Sequence, residues 1–241
     1  MLSFLSTHEA RSEIRRGGVA ALPVILGYAP FALVLGAQAA QKDLSPWMVS
    51  LMTGLNFAGG SEFAAIELWS SPPHLFLIAA ITFLINSRHI LMGATLAPLL
   101  RHLPPRKAFV ALFFMCDESW AMGLADAEKR AKAGLKPVLS LYYYAGLVMG
   151  LYSAWVIGTG VGAVIGPHIA NIDRYGFDMA FPAVFLVLLR GMWKGYRAAR
   201  PWLVSLLVAA ATYYWVPGAW YVMSGTLAGL FAAYLWAGER A

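Results

Sequence analysis

Eight apolar stretches follow one another along the 241-residue chain, separated by short polar connections. Most of them approach the ~20 residues that a helix needs to cross the hydrocarbon core of a bilayer. They run roughly over residues 18–41, 46–70, 74–99, 107–124, 138–166, 176–192, 201–216 and 218–237. In lipid, a helix satisfies its backbone polar groups internally. The sequence therefore predicts an all-α, polytopic integral membrane protein with about eight transmembrane segments, some of them broken.

The composition agrees with a chain that is solvated mainly by lipid. Hydrophobic residues make up 60% and charged residues 12%, whereas soluble domains contain about 25% charged residues. The net charge of +6 comes from short basic clusters between the apolar stretches, and not from one continuous basic face. This layout is typical of basic loops at a membrane surface and argues against a nucleic-acid-binding surface. We predict an N-terminal cytoplasmic segment over 1–17 and a single transmembrane domain over 18–237.

The distribution of Lys and Arg predicts the orientation. If the N-terminus is cytoplasmic, twelve of these residues lie inside, five lie outside, and Arg88 falls within a span. Because cytoplasmic connections are enriched in Lys and Arg, both termini are predicted to be cytoplasmic. The connection 100–107 is the exception, since it would place three basic residues outside. The fourth apolar stretch could therefore be re-entrant instead of spanning the membrane.

A polar, glycine-rich segment interrupts the second apolar stretch at Asn56, Gly59, Gly60, Ser61 and Glu62. Two adjacent glycines weaken a helix by about 1 kcal/mol each relative to alanine, which predicts an unwound turn. A half-helix would then begin near residue 61, with free N–H groups that bind an anion such as a substrate carboxylate. Glu62 could hold an ammonium group or carry a proton. In the alternative interpretation, the glycines serve only packing and Arg88 neutralises Glu62.

A second polar group lies in the third stretch at Asn86, Arg88 and His89. A charge at the membrane centre costs about 2.5–3.5 kcal/mol on insertion scales, so Arg88 needs an anionic partner. The candidates are three carboxylates: Glu62, Asp117 and Glu118. Arg88 could be a structural ion-pair partner or could clamp a substrate. The substrate-binding candidates are therefore Asn56, Gly59, Gly60, Ser61, Glu62, Asn86 and Arg88. His89 could titrate near neutral pH or simply form a hydrogen bond.

Adjacent carboxylates, Asp117 and Glu118, lie in the fourth stretch. Both cannot ionise cheaply in a low dielectric, so one should bind a proton readily; alternatively, both are solvated at the interface. Asp178, just before Pro182, could cap a broken sixth helix. Glu62, His89, Asp117, Glu118 and Asp178 are thus the proton-coupling candidates. The single cysteine and the absence of a nucleotide-binding loop predict no metal and no cofactor.

Glycines in the fifth stretch recur every four residues, at Gly146 and Gly150 and at Gly158, Gly162 and Gly166. Small residues at this spacing allow helix backbones to approach closely in lipid. The ladder either packs against another helix of this chain or forms a docking face for a partner subunit.

At these polar clusters the sequence resembles the AzlC family, the large subunits of branched-chain amino-acid exporters. The segments that carry the resemblance are Phe57–Phe63, Arg88–Leu91, Asp117–Glu118, Tyr175–Asp178 and Phe181–Ala183. The resemblance implies export of branched-chain amino acids across the cytoplasmic membrane, with methionine as a further candidate. It also implies a small four-helix partner of the AzlD type. Family members often carry Gln at the position of Glu62, so this added carboxylate leaves the substrate and the coupling ion open.

Three functions remain compatible with the sequence. The first is a proton-driven secondary transporter that exports small apolar amino acids and is not an enzyme. The second is an intramembrane enzyme that acts on a lipid or prenyl substrate, with His89 and the carboxylates as acid and base. The third is a membrane scaffold without transport.

Overall fold

The computed structural model describes residues 7–168, 186, 190, 193, 195–216 and 220–237, and its regular elements are all helical. The all-α prediction is confirmed. The helices are α1 Thr7–Gln41, α2 Pro46–Asn56, α3 Gly60–Glu67, α4 Leu75–Asn86, α5 Arg88–Leu100, α6 Pro105–Phe113, α7 Asp117–Lys132, α8 Leu141–Ile165, α9 Tyr196–Trp215 and α10 Trp220–Ala237. A short 3₁₀ turn, Gly166–His168, follows α8. The predicted sixth stretch, 176–192, lies almost wholly outside the described residues.

Among the described residues, three helical segments are long and apolar enough to cross a membrane: His8–Gln41, Leu75–Leu100 and Leu141–His168. A shorter apolar segment covers Met223–Trp236. Together they confirm the prediction of a polytopic membrane protein. The second and fourth predicted stretches are instead divided into half-helices, α2 with α3 and α6 with α7, each too short to span a bilayer alone.

The described residues form two compact units. The first contains α1 and α2, the break after α2, and the chain from Asn86 through α8. The second contains Phe63–Ile85 and the helices α9 and α10. Within the second unit, Ala64 of α3 packs on Ile81 of α4, and Ser224 donates a hydrogen bond to Thr212 (2.8 Å) to join α10 to α9.

The glycine ladder of α8 packs against α1. A Cβ added to Gly146 would overlap the carbonyl oxygen of Ile14, and one added to Gly162 would overlap that of Leu33. A Cβ on Gly158 would lie 2.9 Å from the Cβ of Ala32. The two backbones therefore touch directly along several turns, as small residues permit in lipid. Of the two interpretations of the ladder, packing within this chain is the one that the structure shows.

The half-helix α6 runs alongside α8 in the same direction. Arg106, in the first turn of α6, lines a cavity with Leu141, the first residue of α8. Phe114, directly after α6, contacts Tyr152 edge to face, with ring centroids 5.0 Å apart. Tyr152 lies about three turns further along α8.

The half-helix α7 then returns to the end of the unit from which α6 started. Asp126 of α7 accepts a hydrogen bond from Arg16 near the start of α1 (2.6 Å). Arg130 lies 3.5 Å from Glu13, and Glu13 also accepts a hydrogen bond from Ser140, the residue before α8 (2.6 Å). Thus α6 and α7 form a hairpin that enters and leaves at one end of the unit, which favours the re-entrant alternative for the fourth stretch.

Candidate functional site

The break between α2 and α3 has the unwound backbone that the sequence predicts. Phe57, which caps α2, has a left-handed backbone conformation (φ 45°), and Gly59 has one as well (φ 55°). Glycine adopts this region readily, but a bulky residue such as Phe57 is strained there, and such strain is concentrated at functional sites. Gly60 begins α3.

Glu62 places its carboxylate inside this break. Its side chain is 1% exposed. One carboxylate oxygen accepts a hydrogen bond from the backbone N–H of Ala58 (3.0 Å), and the other accepts one from the indole of Trp155 on α8 (2.8 Å). The buried carboxyl group is therefore satisfied by two N–H donors, as buried polar groups require, and Arg88 is engaged elsewhere. The alternative in which Arg88 neutralises Glu62 is wrong.

A chain of amide hydrogen bonds joins the break to the junction between α4 and α5. Asn86 donates to the side-chain oxygen of Asn56 (2.8 Å). Asn56 in turn donates to the hydroxyl of Ser61 (2.8 Å), which is fully buried. Substrate-binding candidates from two predicted stretches are therefore brought together. A connected polar network of this kind fixes the geometry of the region.

Arg88 extends the same cluster to α7. It donates a hydrogen bond to the carbonyl of Ala58 (2.9 Å) and forms an ion pair with Asp117 (3.0 Å). Of the three candidate carboxylates, Asp117 is thus the partner of Arg88. Each of the two side chains is about one-third exposed, at 30% for Arg88 and 33% for Asp117. The pair therefore has room for a further polar group.

The two adjacent carboxylates lie in the first turn of α7. The partial positive charge at a helix N-terminus stabilises acidic side chains there. The start of the helix is also capped, because the N–H of Cys116 donates to the hydroxyl of Ser119 (2.9 Å). The hairpin break thus explains how Asp117 and Glu118 can occupy neighbouring positions in an apolar stretch. Their role in proton coupling stays a prediction.

Two buried polar atoms in this cluster have no hydrogen-bond partner. They are the side-chain oxygen of Asn86 and the Nε of Arg88. An unsatisfied buried acceptor or donor costs roughly 1–3 kcal/mol, so native structures rarely leave such groups unpaired unless a ligand or ordered water pairs with them. One of these atoms is an acceptor and the other is a donor with a positive charge.

The remaining candidates have different surroundings. His89 is partly buried, and its Nδ1 lies 3.2 Å from the carbonyl oxygen of Asn86. Within the described part of the chain, this ring is hydrogen-bonded to backbone and not to a carboxylate, as the intramembrane-enzyme hypothesis would require. Asp178 lies outside the described residues.

Aromatic side chains beside the break were not predicted to belong to the site. Tyr152 contacts both Phe57 (5.1 Å between ring centroids) and Phe114. Trp155 contacts Tyr28 of α1 (5.5 Å) and donates to Glu62. The sequence offers one signal for these residues: Tyr152 and Trp155 lie in the middle of an apolar stretch, whereas aromatic anchors are enriched near membrane interfaces.

Comparison with known protein families finds a match over the part of the chain that contains the site. A sequence model described as AzlC protein matches residues 23–169, which include each of these contacts. The chain belongs to the AzlC family. A membrane protein of Archaeoglobus fulgidus, described as uncharacterized, is 32% identical over 75% of this chain and 76% of its own length. No solved structure matches.

Two further relatives carry names. The inner membrane protein YgaZ of Escherichia coli strain K12 is 24% identical over 70% of this chain and 68% of its own length. The branched-chain amino acid transport protein AzlC of Bacillus subtilis strain 168 is 22% identical over 86% of this chain and 78% of its own length. With the apolar helices, membership in the AzlC family identifies the chain as a membrane transporter.

Proposed function

We propose that this AzlC-family chain is a secondary transporter that exports branched-chain amino acids, with valine, leucine and isoleucine as substrates and methionine as a further candidate. Export is driven by protons across the cytoplasmic membrane. The chain is the large subunit of a two-component exporter, with a small four-helix subunit of the AzlD type as its partner. The name of the Bacillus subtilis relative supports the substrate class.

The substrate proposal rests on the two buried atoms without a hydrogen-bond partner, the side-chain oxygen of Asn86 and the Nε of Arg88. The ammonium group of a zwitterionic amino acid donates to the free oxygen of Asn86, and its carboxylate accepts from the Nε of Arg88. An Arg–carboxylate hydrogen bond is charge-assisted and therefore strong. The rings of Tyr152 and Phe114 lie beside the break and provide apolar surface for the substrate side chain.

Glu62 is suited to couple protons to the conformation of the break. While it is ionised, both of its oxygens accept N–H hydrogen bonds, one from Ala58 and one from Trp155. A proton makes one oxygen a hydroxyl donor and removes the negative charge, so that oxygen becomes a weaker acceptor for an N–H group. Proton binding therefore weakens the contact of Glu62 with either the backbone break or α8.

Replacing Glu62 with glutamine tests this coupling. Glutamine has one acceptor oxygen and cannot release a proton, so valine uptake into inverted vesicles should lose its dependence on a pH gradient. Gradient-driven uptake is expected to fall about tenfold, while exchange of labelled for unlabelled valine persists. Glu67→Gln is the matched control, because Glu67 ends the same half-helix α3 and is exposed. Unchanged gradient dependence in Glu62→Gln would contradict proton coupling through this residue.

The hairpin also changes how many Lys and Arg residues lie on each side of the membrane, and this number predicts the orientation. Of the twelve Lys and Arg residues between residues 7 and 168, ten lie at the end of the first unit where the hairpin enters and leaves. Lys42 follows the opposite end of α1, and Arg88 lies between the two ends. The connection 100–107 is thus no longer an exception. We propose that the basic end faces the cytoplasm.

Labelling of single cysteines tests this orientation. A membrane-impermeant maleimide should label Lys42→Cys in intact cells, and Arg101→Cys and Lys129→Cys only in inverted vesicles. The three positions are exposed, and the native Cys116 is buried and should give little background. If Arg101→Cys were labelled from the same side as Lys42→Cys, and Lys129→Cys from the opposite side, the fourth stretch would span the membrane.

A further inference from the structure

An apolar groove of about 510 Å³ lies between the hairpin helix α6 and the first half of α8. Its walls include Val110, Phe114, Val148 and Met149. Val110 is 57% exposed and Met149 is 65% exposed. In a helix that crosses a membrane, such exposed apolar positions face acyl chains. The groove therefore opens toward lipid, and its wall chemistry suits a hydrocarbon chain.

The end of the groove nearest the start of α8 is basic. Arg106 and Lys107 line it from the first turn of α6. Both side chains are exposed, and neither forms an ion pair with the part of the chain that the structure describes. Pro104 precedes α6 and provides no side-chain cap for its N-terminal N–H groups. Two unpaired cations thus stand beside the positive end of a helix, at the depth of the membrane surface.

We propose that this groove binds an anionic glycerophospholipid. The phosphodiester lies against Arg106 and Lys107, and one acyl chain follows the groove along Val110, Val148 and Met149. A small soluble anion would leave the apolar walls without a partner. A zwitterionic lipid would bring a second, cationic group to a site that already has two positive charges. An anionic lipid matches both parts of the groove, because its phosphate complements the two cations and its acyl chain complements the apolar walls.

Native mass spectrometry of the purified full chain in detergent can measure this binding. Phosphatidylglycerol and phosphatidylcholine with identical acyl chains are titrated separately, and the retained lipid is counted. Wild-type protein is expected to retain one phosphatidylglycerol preferentially. The double variant Arg106→Ala/Lys107→Ala is expected to bind it about tenfold more weakly, because each basic residue near the surface contributes to the attraction of anionic lipid. Ala145→Phe, which fills the groove, should lose the lipid with both charges intact.

The matched control is Lys129→Ala/Lys136→Ala, which removes two exposed cations from the same end of the unit but outside the groove. It should bind phosphatidylglycerol like the wild type. Circular dichroism and size-exclusion chromatography establish that each variant is folded. The proposal is overturned if the two lipids bind equally, if both double variants lose binding to the same extent, or if Ala145→Phe retains the lipid. None of these results depends on the transported substrate.

Discussion

Arg88→Met is expected to yield a folded protein that no longer transports amino acids. The substitution removes the Nε proposed to bind the substrate carboxylate, together with the ion pair to Asp117. Losing a charge-assisted hydrogen bond of this kind typically costs 2–5 kcal/mol of binding, so transport of labelled valine in proteoliposomes should fall roughly 30-fold or more. Because both side chains of the ion pair are about one-third exposed, the free energy of unfolding should fall by only about 1–2 kcal/mol.

A second variant distinguishes between two roles of Arg88, binding of the substrate and a structural ion pair with Asp117. In Arg88→Met/Asp117→Leu no charge of this pair is left unpartnered, so the free energy of unfolding should recover in part. The carbonyl of Ala58 still lacks the donor that Arg88 supplies. Transport should not recover, because the donor for the substrate is still missing. The matched control, Arg16→Met/Asp126→Leu, removes an ion pair of similar length (2.6 Å) from the basic end, and should leave most transport intact. If Arg88→Met/Asp117→Leu transported valine like the wild type, Arg88 would have a structural role alone.

Gly162→Leu is expected to have the largest effect on stability. Any Cβ at this position overlaps the carbonyl oxygen of Leu33, so α1 and α8 must move apart. Overpacking of this kind costs about 3 kcal/mol. The control is Gly27→Leu on α1, where no atom lies within 4 Å of an added Cβ. Leucine there should be neutral or slightly stabilising, because it favours helix more than glycine does.

Unfolding in sodium dodecyl sulfate, followed by circular dichroism, measures both free energies under one condition. An equal loss in Gly162→Leu and Gly27→Leu would show that the penalty does not come from the contact of α1 with α8, because a Cβ at Gly27 meets no other atom within 4 Å.

The break at residues 57–59 could be predicted from the sequence, because the signal is local: Gly59 and Gly60 in an apolar stretch indicate an unwound turn. The break at residues 114–116 was not predicted, since the adjacent carboxylates Asp117 and Glu118 indicated only a proton-binding pair or a solvated interface. The hairpin could be suspected from the three basic residues of 100–107. Charge counting, however, cannot distinguish a re-entrant segment from an irregular loop.

The partners of the charged residues could not be predicted, because they depend on contacts between distant parts of the chain. The sequence offered three carboxylates as possible partners of Arg88, and in the structure Arg88 forms an ion pair with Asp117. Glu62 is held by Trp155, 93 residues away. A tryptophan in an apolar stretch looks like any other lipid-facing or core residue until the fold places its N–H group against a carboxylate.

The direct backbone contact between α1 and α8 has a consequence for motion. Two helices whose main chains touch at several glycines cannot slide along each other without collision, so they behave as a single rigid body. We expect rotation during a transport cycle to occur where unwound chain adjoins this body, at residues 57–59 and 114–116. Glu62 adjoins the first of these hinges and Asp117 the second. Two of the proton-coupling candidates, Glu62 and Asp117, thus lie beside these hinges and outside the α1–α8 body.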